Sequence, residues 1–161
     1  MGNTTKNQRD IKSLTFKDTD YRCIGNTGLL KYPLTGFLCS RKCPAATILE
    51  THETVKKWAN DPERTIVSGF HSPVEQECMR LLIRGKANII YFPAREIDHL
   101  TIRKEWQHPL NNNRMLIITL ASIKTKQMSS TETDKRNQQI AALSHELYIP
   151  YATPGGLLAG L

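Results

Sequence analysis

The sequence has no cysteine pair at C-x-x-C spacing; Cys23, Cys39, Cys43 and Cys78 are scattered, and two of them fall within apolar or helical patterns. Buried, reduced thiols are therefore the favoured reading over zinc ligation or a disulfide. The five histidines stand at no metal-ligating spacing, and Asp98-His99 alone does not make a catalytic pair. No metal or cofactor is therefore expected. No run approaches the ~18 apolar residues of a membrane helix, and the start carries no apolar leader core. Lys6 occupies the position where a myristoylation signal requires Ser or Thr. These absences predict a cytoplasmic protein with no membrane partner.

What is present is a chain of 161 residues, 39% hydrophobic, with a net charge of +7. That length supports one domain burying roughly 70% of its extended-chain surface, and not two such cores. Residues 1–20 set Lys6, Arg9, Lys12 and Lys17 against Asp10, Asp18 and Asp20, so almost all of the excess charge lies beyond them. This segment is polar and lacks periodicity, and reads as an N-terminal arm ahead of a single domain over residues 21–161. A basic body favours polyanionic partners.

Within that body, short apolar runs alternate with helical patterns. Phe37-Leu38-Cys39 is a strand core leading into Ser40-Arg41-Lys42, after which Ile48, Val55, Trp58 and Ala59 recur at helical spacing up to Asn60-Asp61-Pro62. Ile66-Val67 is a second strand ending in Ser68-Gly69. Ser72-Pro73-Val74-Glu75 combines a capping serine, a proline suited to the first helical position and the glutamate of a capping box. Val74, Cys78, Leu81 and Leu82 share a face of that helix, and Gly85 ends it. Residues 89–92 form the third strand and residues 115–120 the fourth, separated by a polar excursion over 96–114. A helix over about 132–144 aligns Arg136, Ile140, Leu143 and Leu147, with Ser129 to Glu132 offering a second capping box. A fifth strand over 147–151 runs into Thr153-Pro154-Gly155-Gly156. Strands alternating with helices predict an α/β fold in which a mostly parallel sheet of five or six strands is covered on both faces.

Three of these stretches, over 35–41, 65–69 and 147–156, join an apolar run to a turn of small or basic residues. A parallel strand that ends this way and opens a helix directs backbone N–H groups beyond its carboxyl end, which suits phosphates. Glu75, in the first turn of its helix, would repel an anion there, so the phosphate is expected nearer Ser40 and Ser68. Arg41 can hold a phosphate through two parallel hydrogen bonds. Pro154-Gly155-Gly156 is a plain turn or an anion nest. Arg136 reads either as a ligand or as a cap on the sheet edge. Trp58 fits the apolar stripe of its helix, whereas Trp106, in the polar excursion, is the candidate for stacking on a base.

In order, these motifs resemble the Rossmann-like domain of the DNA-processing protein A family (DprA, also called Smf). That family runs from a glycine-asparagine pair and a leucine pair into a strand ending G-S-R-K. Gly25-Asn26, Leu29-Leu30 and Phe37-Leu38-Cys39-Ser40-Arg41-Lys42 keep that order, with Cys39 for the glycine. Its V-S-G strand end is answered by Val67-Ser68-Gly69, and its D-x-x-A-H helix by Glu75, Cys78 and Met79. Its R-N-R-I-I-A-x-L-S segment is answered by residues 136–144, starting Arg136-Asn137. The family's A-R-G segment is His71-Ser72-Pro73 here, which lacks the arginine.

The resemblance implies a Rossmann-like three-layer sandwich. It also implies a positively charged groove at the carboxyl ends of the strands that holds single-stranded DNA and, in the full-length protein, presents it to a recombinase. The groove residues implied are Ser40, Arg41, Ser68, Gly69, Arg136 and Asn137, to which position adds Lys42, Gly155 and Gly156. The family's flanking domains have no counterpart in this sequence, so recombinase loading is not expected, while the likeness implies a homodimer formed through the sheet domain. The lysine-decarboxylase-like (LOG) phosphoribohydrolases, on the same architecture, carry P-G-G-x-G-T-x-x-E after the last strand. This chain matches Pro154-Gly155-Gly156, has Leu158-Ala159 for the G-T pair, and lacks the glutamate. The expected function is thus non-catalytic binding of single-stranded DNA or nucleotide phosphates, in DNA processing or recombination. The alternative is nucleotide cleavage or sensing of the phosphoribohydrolase type.

Overall fold

The computed structural model describes residues 10–161. Its sheet has seven strands: β1 (Lys12–Phe16), β2 (Thr19–Gly25), β3 (Leu34–Phe37), β4 (Thr65–Ser68), β5 (Asn88–Tyr91), β6 (Met115–Leu120) and β7 (Glu146–Tyr148). They lie in the order β1-β2-β6-β5-β4-β3-β7. The pairs β3–β4, β4–β5, β5–β6 and β3–β7 are parallel, whereas β1–β2 and β2–β6 are antiparallel. The helices are α1 (Ala45–Ala59), α2 (Pro73–Arg84), the short α3 (Gln107–Asn111) and α4 (Ser130–Leu143), with 3₁₀ turns at Thr27–Lys31, Lys104–Trp106 and Leu157–Gly160.

Alternation along the central strands explains the three layers. Ile66, Ile89, Met115 and Ile117 point to one face, where α1, α2 and the Trp106 turn cover them. Val67, Ile90, Leu116 and Ile118 point to the other, under Ile140 and Leu143 of α4, Leu29 and Leu30, and Leu158. Both faces of a parallel sheet must be covered, so its strands read as continuous apolar runs. The capping box of α2 forms in full: Ser72 accepts from the Glu75 N–H, and Glu75 accepts from the Ser72 N–H. At α4 only half of the expected box forms, with Ser129 accepting from the Glu132 N–H at 3.3 Å.

Three expectations are corrected. The sheet has more than five or six strands because residues assigned to the polar arm form β1 and the start of β2. Lys17 and Asp18 both adopt positive φ, 49° and 64°, and make the two-residue turn that matches the twist of a hairpin. Only Leu14 and Phe16 of β1 pack against the core, an apolar signal too brief to register as periodicity. The remainder of the expected arm, residues 1–9, lies outside the described residues. The second correction concerns Trp106, which is buried at 3% exposure against Tyr91, ring centres 5.3 Å apart, and offers no face to a base. Trp58 is core, packed edge-on to Phe37 and Tyr148. The excursion over 96–114 resolves into the 3₁₀ turn and α3, and the third correction is the last strand, which is shorter than expected, Glu146–Tyr148.

All four cysteines are free, three of them buried. Burial, above all, pushes the thiols of Cys39 and Cys78 up to about 12. Among the described residues no helix is long and apolar enough to cross a membrane, and no cluster of His, Cys, Asp or Glu could hold a metal ion.

Candidate functional site

The chain leaves β3 for α1 on one face of the sheet, and leaves β6 for α4 on the other before returning to β7 beside β3. Connections that depart to opposite faces open a crevice at the carboxyl ends of the strands. A cleft of about 670 Å³ lies there, lined by Ser40, Arg41, Lys42, His71, Arg136 and Asn137, with Ser129, Thr133, Thr153 and Gly156 among its walls.

Its floor is organised by two buried charges. Glu75, 4% exposed, uses both carboxylate oxygens on backbone N–H groups. Oε1 accepts from His71 at 2.8 Å and Ser72 at 3.1 Å, and Oε2 accepts from Cys39 at 2.7 Å. The glutamate thus ties the end of β3 to the start of α2, and satisfies donors that would otherwise face a ligand. Arg136, 2% exposed, donates from Nη1 to the Phe92 carbonyl and from Nε to Asn137 Oδ1, both at 2.8 Å. Burial, the larger influence, lowers its pKa, while the nearby Glu75 carboxylate and Tyr91 oppose that shift. A guanidinium stays charged in proteins, so the cleft has a fixed cation in its wall. Nη2 makes no hydrogen bond among the described residues.

Each residue nominated from the sequence has a definite place. Ser40, Arg41, Lys42, Arg136, Asn137 and Gly156 come together around the one cleft. Arg41 and Lys42 are exposed at its rim. Ser40 is a brace between strands: its N–H donates to the Tyr151 carbonyl at 3.0 Å, and its Oγ accepts from the Thr153 N–H at 2.9 Å. Ser68 and Gly69 lie beneath the cleft and do not line it. Ser68 is fully buried, with its Oγ accepting from the Phe70 N–H at 3.1 Å. Gly69 is needed for packing: a Cβ there would collide with the Arg136 guanidinium, meeting Nη2 at 2.8 Å. Gly155 is exposed beside the cleft in a turn that its φ of 74° permits, closed by the Gly156 N–H on the Thr153 carbonyl at 2.9 Å.

The amides expected to face an anion are therefore mostly engaged within the protein. Those of Cys39, Ser40, Phe70, His71, Ser72, Thr153 and Gly156 all donate to protein acceptors. What the cleft offers an anion is side-chain charge: Arg41 and Lys42 at the rim and Arg136 in the wall. The nomination from the sequence missed His71, which also lines the cleft. Its signals were its position, three residues beyond the end of β4, and its place in the segment that answers the family's A-R-G motif.

Residues 21–156 match the profile of the family described as DNA recombination-mediator protein A. Two solved structures have the same fold. One, from a study of the single-stranded DNA binding mode of DNA processing protein A from Helicobacter pylori, superposes with a TM-score of 0.69 at 18% identity, over 92% of this chain and 73% of its own. DNA processing protein A from Streptococcus pneumoniae superposes with a TM-score of 0.69 at 17% identity, over 95% of this chain and 58% of its own. The chain thus spans little more than half of that second protein. No curated protein matches the sequence.

Proposed function

The chain belongs to the DNA recombination-mediator protein A family, and on that premise we propose that its strand-end cleft holds the backbone of single-stranded DNA without catalysing a reaction. The observation that carries this reading is the convergence of Arg41, Lys42 and the buried Arg136 on one cleft at the carboxyl ends of the strands. Asn137 orients the Arg136 guanidinium, and Gly69 leaves room for it. Pre-organisation matters here, because a guanidinium already fixed by two hydrogen bonds loses little side-chain freedom on meeting a phosphate. Ser40 and Gly156 shape the wall through the backbone, and Gly155 supports the turn beside it.

Carboxylate chemistry of the phosphoribohydrolase kind has little to work with in this cleft. Among the described residues lining it, Glu75 is the one carboxylate, and its oxygens are occupied by three N–H groups. A general base or nucleophile must instead be able to reach the reacting atom.

Fluorescence anisotropy with a labelled oligothymidylate tests the proposal. Three phosphate contacts predict a logarithmic salt slope of about −2 for single strands, or about 20-fold weaker binding between ~50 and ~200 mM salt. Arg41→Ala and Lys42→Ala should each reduce that slope. No binding at low salt overturns the proposal, and release of free base from nucleoside monophosphates would establish cleavage instead.

A further inference from the structure

We infer that His71 is an additional phosphate-binding side chain of the cleft, and that it couples single-stranded DNA binding to the uptake of a proton. The inference rests on the proposed DNA-binding reading and adds a residue and a regulation to it.

The backbone around His71 is fixed on both sides. Its N–H donates to Glu75 Oε1 at 2.8 Å, and its carbonyl accepts from Gln76 Nε2 at 2.7 Å. The preceding residue, Phe70, has a φ of 43°, a left-handed conformation that is rare for a bulky side chain. Such an outlier persists only where its surroundings impose it, and it often marks a functional site. Here the Phe70 ring is held in the core, 5% exposed and 6.4 Å from Tyr91, and the next residue lines the cleft. Among the described residues, neither ring nitrogen of His71 has a hydrogen-bond partner, so both are available to a ligand.

The charged groups acting on the imidazole come from three directions: Arg41 from the turn after β3, Arg136 from α4, and Glu75 from α2. Burial is the largest influence and lowers the His71 pKa; the two arginines lower it further, and the glutamate opposes them. The free cleft therefore holds His71 neutral around neutral pH, because burial disfavours the charged ring and two cations already in its surroundings disfavour it further. A phosphate seated between Arg41 and Arg136 reverses the balance. It offsets their charge and offers an acceptor to a protonated ring, so the bound-state pKa rises. By linkage, a group whose pKa rises on binding takes up a proton, and affinity strengthens as pH falls through the window between the two values. With one proton involved, the limit is about tenfold in Kd per pH unit inside that window.

The experiment is oligothymidylate binding by the full chain at constant ionic strength, from about pH 5.5 to about pH 8. Wild type, His71→Gln and His71→Arg are compared. The wild type should bind several-fold more tightly at the acidic end. His71→Gln should be nearly flat at the weak, high-pH level, and His71→Arg nearly flat at a tighter one. Should His71→Gln keep the wild-type slope, the inference is overturned while DNA binding stands. Absence of wild-type binding at every pH overturns both, which separates the two failures. If a variant does not fold, NMR titration of the His71 imidazole in wild type decides: its pKa must rise when oligonucleotide is added, and an unchanged or lower value refutes the coupling.

Discussion

Gly69→Ala is a one-carbon change at a position that never touches the cleft, yet it should dismantle the cleft's buried cation. The added Cβ would occupy the space now filled by the Arg136 guanidinium, meeting Nη2 at 2.8 Å and the inner atoms of the group still more closely. The neighbours cannot yield cheaply, since the glycine sits on a fully buried strand end and the guanidinium is bonded to Phe92 and Asn137. Displacing it breaks two charge-assisted hydrogen bonds and leaves a carbonyl and an amide oxygen without those donors. Removing such a partner from a buried charge costs about 3–5 kcal/mol. For a domain of this size that lowers Tm by about 6–20 °C.

A double-mutant cycle with Arg136→Met, read by urea unfolding, separates this cause from a general intolerance of alanine. In the Arg136→Met background no guanidinium remains to be displaced, so Gly69→Ala should then cost under ~1 kcal/mol, a coupling of several kcal/mol between the sites. Oligonucleotide affinity should fall to one common low level in all three variants. Additive stability changes, or a Gly69→Ala protein that binds DNA as wild type does, would refute the assignment of Gly69 to the guanidinium.

Three further outcomes follow from the same contacts. Glu75→Gln should destabilise the protein by about 2–4 kcal/mol in urea unfolding, because an amide cannot accept from all three N–H groups that the carboxylate serves. Iodoacetamide at about pH 8 should label half-buried Cys43 in the native protein but spare Cys39 and Cys78: with their pKa at about 12, about one thiol in ten thousand is ionised. Intact mass should show all four cysteines modified only after unfolding. Without DNA, the lowered His71 pKa means that the unfolded chain holds the proton more readily between that value and the ordinary 6.5. Stability should then rise with pH through that window and level off above it, with the rise reduced in His71→Gln when urea midpoints are compared.

The sequence made the central layer legible because a parallel strand buried on both faces must be apolar throughout. Ile66-Val67, residues 89–92 and 115–120 announced themselves in that way. The start of α2 was legible for a different reason: its Ser72-Pro73-Val74-Glu75 box is closed by contacts within four residues. The β1–β2 hairpin was not, since Lys17-Asp18 lacks the glycine that usually signals such a turn and β1 is only partly covered. Trp106 misled because its neighbours in the chain are polar, whereas its neighbours in space are Tyr91 and the core under α2.

The same distinction runs through the cleft. Arg136 and Asn137, in the middle of a helix, were nominated by the family resemblance, whereas the chain alone determined which strands end in small and basic residues, and hence that Ser40, Arg41, Lys42 and Gly156 would gather at one end of the sheet. Short-range patterns and the parallel topology are enough for that. Tertiary structure alone decided what those residues face. Glu75 reaches Cys39 across 36 positions and takes amides that seemed destined for an anion, and Arg136 fills the space left by Gly69. Hydrogen-bond donors are claimed by whichever acceptor lies within about 3 Å, and proximity between residues so distant in sequence exists only once the chain has folded.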